Sequence, residues 1–144
     1  MHKKILSLVA VILIGLILVG CGGKGYTEDD VKSFAHPLTE KVLLGLNNED
    51  YSMFASDFNE DMQAGIPEEQ FSSFLSQIKG KVGEYVPDSK KFVSATQNGS
   101  YITVVYDAKF TQEDSVKITI SFEQSAGTYR ITGLYFNSPK LQGK

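Results

Sequence analysis

The run Val116-Lys117-Ile118-Thr119-Ile120-Ser121-Phe122-Glu123 alternates apolar and polar residues without a break. Successive side chains of a strand point to opposite faces, so this period of two predicts a strand with Val116, Ile118, Ile120 and Phe122 facing inward. Upstream, Ile102, Val104, Tyr106, Ala108 and Phe110 repeat the pattern, and Thr111 to Ser115 supplies the turn between the two strands. Asn98-Gly99 predicts a tight hairpin to a strand over about 90–97, with Gln97 facing Ser100, Ala95 beside Ile102 and Val93 beside Val104. Downstream, Ser125-Ala126-Gly127 turns the chain into a last strand, where Tyr129, Ile131 and Tyr135 alternate with Arg130 and Thr132. Leu134 and Phe136 on the second face predict that its far end is covered on both sides. A short strand at Val82 to Val86, broken by Pro87-Asp88, would be a fifth.

Before Gly80 the period is 3.6. Thr27 is a candidate N-cap, with Glu28, Asp29 and Asp30 in the first turn, where the helix dipole favours acids. Val31, Phe34, Ala35, Leu38, Val42 and Leu46 keep helical spacing, and Pro37 predicts a kink or two abutting helices. Asn48 is the expected cap of a short helix whose face is Tyr51, Phe54, Ala55 and Phe58. Asn59 to Gly65 reads as a connection with Met62 buried. Pro67 opens a third helix with the stripe Phe71, Phe74, Leu75 and Ile78, and Gly80 is its expected left-handed cap. Helices first and an antiparallel meander second predict an α+β domain, its helices packed on a curved antiparallel sheet of four to five strands.

The N-terminus reads differently. Lys3 and Lys4 precede an uncharged run from Ile5 to Gly20. As a helix that run would reach about 24 Å, short of a bilayer core of about 30 Å, which fits a signal peptide better than a membrane span. It ends in Leu18-Val19-Gly20-Cys21, which resembles the lipobox of prokaryotic lipoproteins. That resemblance implies cleavage before Cys21, a diacylglycerol on its sulfur, and attachment to the extracytoplasmic face of the cell membrane, or to an outer membrane. One acyl chain anchors marginally, while two or three anchor stably. The expected organisation is a signal peptide at 1–20, a lipidated cysteine and flexible tether at 21–26, a folded domain at 27–138 and a tail at 139–144.

The order of elements resembles the nuclear transport factor 2-like, or cystatin-like, cone. More specifically, it resembles an uncharacterised family of prokaryotic lipoprotein domains with that fold. The resemblance rests on Leu44-Gly45-Leu46-Asn47-Asn48-Glu49-Asp50-Tyr51, on the Phe54 to Met62 segment, and on Gly83-Glu84-Tyr85. These are packing and turn residues, and they imply a fold more than a function. Relatives of this fold such as ketosteroid isomerase place an acid base and a Tyr or Asp donor inside the cone.

Composition excludes several function classes. A single Cys among 144 residues excludes a disulfide framework, and two His make a His-rich metal centre a poor expectation. A net charge of −3 without a basic cluster argues against nucleic acid as a partner. No phosphate loop, nucleophile elbow or calcium loop is present, and no cofactor is implied. Asp57, Glu60 and Asp61 read as a solvated face. His36, before Pro37, reads as a surface or kink residue. Arg130 could meet an anionic ligand or Glu123 across the hairpin. Tyr51, Met62, Tyr106 and Tyr135 are candidates for a cavity mouth, and Glu84 is the one acid retained as a candidate site group. The expected function is a non-catalytic domain binding a small apolar ligand, a peptide or an envelope protein. The alternatives are an isomerase- or dehydratase-like enzyme, or an accessory subunit that forms a homodimer.

Overall fold

A computed structural model of the chain describes residues 24–143. The expected signal peptide, Cys21 and the Gly22-Gly23 part of the tether lie outside the described residues. The fold is α+β: β1 (Lys24–Tyr26), α1 (Glu28–Asn47), α2 (Tyr51–Ala55), α3 (Glu60–Gly65), α4 (Glu68–Val82), then β2 (Lys91–Asn98), β3 (Tyr101–Phe110), β4 (Glu113–Ser125) and β5 (Thr128–Asn137). The five strands form one antiparallel sheet in the order β1-β2-β3-β4-β5.

Asp30 opens α1 by accepting hydrogen bonds from the Thr27 N–H at 2.8 Å and the Thr27 hydroxyl at 2.7 Å. Pro37 does not split the helix. Pro37 and Ser33, the residue whose carbonyl loses its helical donor, are both exposed, so water can take that carbonyl. Asp50, rather than Asn48, caps α2 by accepting from the Met53 N–H at 3.0 Å. The segment expected as a connection is the short helix α3, capped by Asn59, which accepts from the Met62 N–H at 2.9 Å. Helix α4 runs through Gly80 to Val82, and Gly83 at φ 80° is its cap. A Cβ at Gly83 would fall 2.0 Å from Thr111 Oγ1, so the turn against the sheet admits glycine there. The strand expected at Val82 to Val86 is not formed: Val82 ends α4, and Tyr85 makes only an isolated bridge with Phe110.

Two departures from the expected strand pattern matter. The first hairpin turns at Gly99-Ser100, with Asn98 opposite Tyr101 and Ala95 opposite Val104. Only Gly99 has positive φ, at 63°, as a turn with glycine in its first central position requires. Moving the turn by one residue moves each cross-strand partner by two, so Ala95 keeps its face, but Val93, expected beside Val104 on the core face, does not: a bulge between Phe92 and Ser94 turns Phe92 inward opposite Tyr106 and leaves Val93 49% exposed. The second departure is a bulge in β5. Ser121 pairs with Gly133 and Phe122 with Ile131, leaving Thr132 as the extra residue. The bulge reverses parity: Ile131, Leu134 and Phe136 share the inner face, and Tyr135 is turned outward, 59% exposed. The covered second face expected at this end is therefore absent.

The core lies between the inner sheet face and the helices. Val104, Tyr106, Val116, Ile118, Ile120, Phe122 and Ile131 are fully buried, as are Val31, Leu43, Phe54 and Val82 from the helical side. Ile102, expected in the same layer, is half-buried near the sheet end. The expected flexible tether is also shortened, because Lys24, Gly25 and Tyr26 pair with Gln97, Thr96 and Ala95 as β1.

Candidate functional site

A groove of about 770 Å³ runs between the start of α2 and the outer side of α4. Its apolar wall is Tyr51, Phe71 and Leu75, and Glu49, Glu68 and Lys79 stand around it. The Tyr51 hydroxyl donates to the Ile66 carbonyl at 2.9 Å, and its ring meets Phe71 edge-on at 5.4 Å. That bond fixes the ring as a wall. The Lys79 ammonium lies 3.4 Å from Glu49 Oε1 and 3.5 Å from Glu84 Oε1, and donates to the Asn47 carbonyl at 3.3 Å. The groove therefore joins an aromatic surface to one positive and several negative groups.

The four residues expected at a cavity mouth and the candidate acid Glu84 do not converge. Tyr51 walls the groove. Glu84 is an exposed group that reaches the groove only through Lys79. Met62 is half-buried on α3 and packs against the core, so its expected burial is incomplete. Tyr106 is fully buried beneath α1. Tyr135 is removed to the outer sheet face by the β5 bulge.

A second polar constellation is internal. The hydroxyls of Thr39 and Tyr106 and Nε2 of His36 are buried without a hydrogen-bond partner in the protein. The His36 ring packs edge-on against Tyr106 at 5.3 Å. His36 Nε2 is 3.2 Å from Glu28 Oε1 but not aligned for a hydrogen bond. Likewise Thr39 Oγ1 neighbours the Tyr106 hydroxyl without hydrogen-bond alignment. Burial, reinforced by the charge of Glu28, pushes the Tyr106 hydroxyl well above the usual phenol range. His36 is half-exposed, as a residue near the surface, with its Nε2 buried, and the helix runs on through Pro37.

Beside this cluster Glu40 is fully engaged. It accepts from the Lys90 ammonium, from the Tyr85 hydroxyl at 2.8 Å and from the Asp88 N–H at 3.1 Å. Burial alone would raise its carboxyl pKa, but Lys90, Tyr85 and the Asp88 amide bring it below the usual glutamate range. This arrangement ties α1 to the segment leading into β2. Elsewhere Arg130 stands opposite Glu123 but donates to the Ser56 carbonyl at 3.3 Å, and Asp57 is held 3.2 Å from Lys41. Among the described residues no group of His, Cys, Asp and Glu side chains is placed to hold a metal ion.

Sequence reasoning missed Thr39, Glu40, Lys90 and the α4 side of the groove. Thr39 had a signal: it lies four residues after Ala35 and three before Val42, a polar residue on an apolar stripe. Lys79 had none, because a lysine in the last turn of a helix is ordinarily explained by the dipole.

No curated protein and no solved structure gives a significant match to this chain. One family does match, over residues 39–132, from the second half of α1 into β5, covering the groove together with Thr39 and Tyr106 of the internal constellation. That span is well over half of the 144 residues, and the chain belongs to the family described as "Protein of unknown function (DUF3887)".

Proposed function

We propose that this protein is a membrane-anchored lipoprotein whose nuclear transport factor 2-like domain is a non-catalytic binding module. The anchor is Cys21, supported by Leu18-Val19-Gly20-Cys21 after a short uncharged run. The binding site is the groove between α2 and α4. One observation carries this reading: the space between sheet and helices is filled by side chains such as Tyr106, Phe54 and Phe122, while a groove of about 770 Å³ lies open between α2 and α4. Its aromatic wall and charged rim suit a small apolar ligand or peptide segment with a charged end. Titration of the isotope-labelled chain with anilinonaphthalene sulfonate, an aromatic anion, tests the site by NMR. Shifts should concentrate at Tyr51, Leu75 and Lys79 and be lost in Ser76→Trp, which fills the groove from an exposed position. Shifts spread elsewhere, or unaffected by Ser76→Trp, would rule the groove out.

A second reading, an isomerase- or dehydratase-like enzyme, is favoured by the unpartnered polar atoms of His36, Thr39 and Tyr106. On that reading Tyr106 donates a hydrogen bond to a developing oxyanion, with His36 or Glu28 as the proton acceptor. A nitrophenol, used as an enolate mimic, separates the two readings. It moves the Tyr106 signals if the interior opens to ligands, and leaves them in place if the groove is the site.

A further inference from the structure

The turns at the two ends of the sheet differ in composition. At one end lie the hairpin turns β2–β3 and β4–β5, with the segments Gln97-Asn98-Gly99-Ser100-Tyr101 and Gln124-Ser125-Ala126-Gly127-Thr128-Tyr129. Neither segment contains a charged residue. The opposite end carries Asp88, Lys90, Lys109, Glu113, Asp114 and Lys140 within its connections and strand ends. Charged groups flank these turns: Glu123 pairs with Tyr101 and accepts from Ser100 at 3.3 Å, Arg130 stands opposite Glu123, and Asp61 shares a cleft with Asn98 and Tyr101. The turns themselves are bordered by tyrosines. Tyr101 is 48% exposed on the outer face. Tyr129 stacks on Phe34 at 3.7 Å on the inner face, and Tyr26 donates to the Gln97 amide oxygen from β1.

Strand β1 determines which end meets the bilayer. Lys24 pairs with Gln97, so the N-terminal end of β1 lies beside the β2–β3 turn. Three residue steps from Lys24 back to Cys21 reach about 10 Å at most. The headgroup layer on each side of a bilayer is itself about 5–8 Å thick. A diacylglycerol on Cys21 therefore keeps the Lys24 end of β1, and the β2–β3 turn beside it, within about 10 Å of the headgroups.

We propose that the hairpin end, bordered by Tyr26, Tyr101 and Tyr129, is a membrane-docking surface that lies against the lipid headgroups. Tyrosine suits that boundary because its ring is apolar and its hydroxyl is wet. Lys24, 5.5 Å from the Tyr26 ring centre, can meet lipid phosphates at the same level. Docking of this end leaves the opposite end directed into the aqueous space. The inference rests on the lipoprotein reading of Cys21, and its test separates the two.

The chain has no Trp, so single-Trp variants of the full lipidated protein report position directly. Tyr101→Trp and Lys109→Trp lie on one strand, roughly 26 Å apart at about 3.3 Å per residue, and both positions are exposed. Each is reconstituted into phosphatidylethanolamine–phosphatidylglycerol vesicles containing lipid brominated near the headgroup. Intact mass and vesicle co-flotation report the anchor independently. Docking predicts that Tyr101→Trp emission shifts to the blue, is quenched by brominated lipid and is shielded from aqueous iodide, while Lys109→Trp shows none of these. If the lipidated protein floats with vesicles but both positions stay fully iodide-accessible, or Lys109→Trp is the one quenched, the docking surface is wrong and the anchor stands. A chain without diacylglycerol on Cys21 overturns both.

Discussion

Gly45 on α1 lies directly under Phe54 of α2: a Cβ at position 45 would fall 2.6 Å from the Phe54 nitrogen and 2.7 Å from its Cα. Both atoms are backbone, so a rotamer change cannot relieve the contact. In an isolated helix Gly→Ala would gain about 1 kcal/mol. Here the helix pair must separate instead, and overpacking of that kind costs about 1–3 kcal/mol. Gly45→Ala should therefore lower the urea midpoint despite its higher helix propensity. An increase would show that α2 does not sit on α1 in this way.

Ile118 is fully buried at the centre of β4, between Tyr106 and Phe136 on the neighbouring strands. Ile118→Ala should cost roughly 2–5 kcal/mol, the range for truncating a buried aliphatic residue. A chemical-denaturation change under about 0.5 kcal/mol, typical of surface positions, would place Ile118 on the wrong face.

Tyr106→Phe removes a buried hydroxyl that has no partner in the protein. An unsatisfied buried group costs on the order of 1–3 kcal/mol, so the variant should be as stable as the parent or more so. A loss above about 1 kcal/mol would mean that the hydroxyl is hydrogen-bonded in solution, to water or to a ligand. That outcome would move the weight of the argument to the enzymatic reading.

The carboxyl of Glu40 sets a pH dependence with a definite sign. Burial opposes its ionisation, but hydrogen bonds from Lys90, Tyr85 and the Asp88 amide lower its folded-state pKa overall. A lowered folded pKa gives stability that is fully present above the unfolded value, about 4.3, and is lost as pH falls through the folded value. Glu40→Gln should thus be less stable than the parent at pH 7, with Lys90 left without its carboxylate. The gap should narrow as pH drops below about 4. Urea titrations at both ends of that range decide it, and a gap of constant size would remove Glu40 as the source. Burial would raise the Asp107 carboxyl, but Lys117 and Ser115 bring it below the usual aspartate range, so Asp107 keeps its own acid sensitivity in both proteins.

The inner sheet face was legible because Val116, Ile118, Ile120 and Phe122 follow an unbroken period, and a period of two needs no tertiary information to interpret. The Gly99 turn was misplaced by one residue, yet Val104 and Tyr106 were still assigned to the correct face. Tyr135 was assigned wrongly for a physical reason: the extra residue of a bulge has no distinctive chemistry, and Thr132 is an ordinary strand residue. Past that point, simple alternation puts each side chain on the wrong face. The groove was half legible. Tyr51 was identified from its type, whereas Leu75 and Lys79 became its neighbours only through the packing of α4 beside α2. The helix α3 was hidden because six residues carry too little periodicity to distinguish from a connection.

The three residues of β1 also have a mechanical consequence. On the proposed anchor at Cys21, any tension between bilayer and domain would enter at Lys24 and act along the strand. The hydrogen bonds to β2 are perpendicular to that pull, so they are loaded together in shear instead of opening one after another. Thr27 then passes the load to α1 through the Asp30 carboxylate, close behind the strand. A domain attached in this way resists being dragged from its seat until the short ladder fails as a unit. Beyond that force β1 peels out and lengthens the leash, while the β2–β5 sheet stays folded.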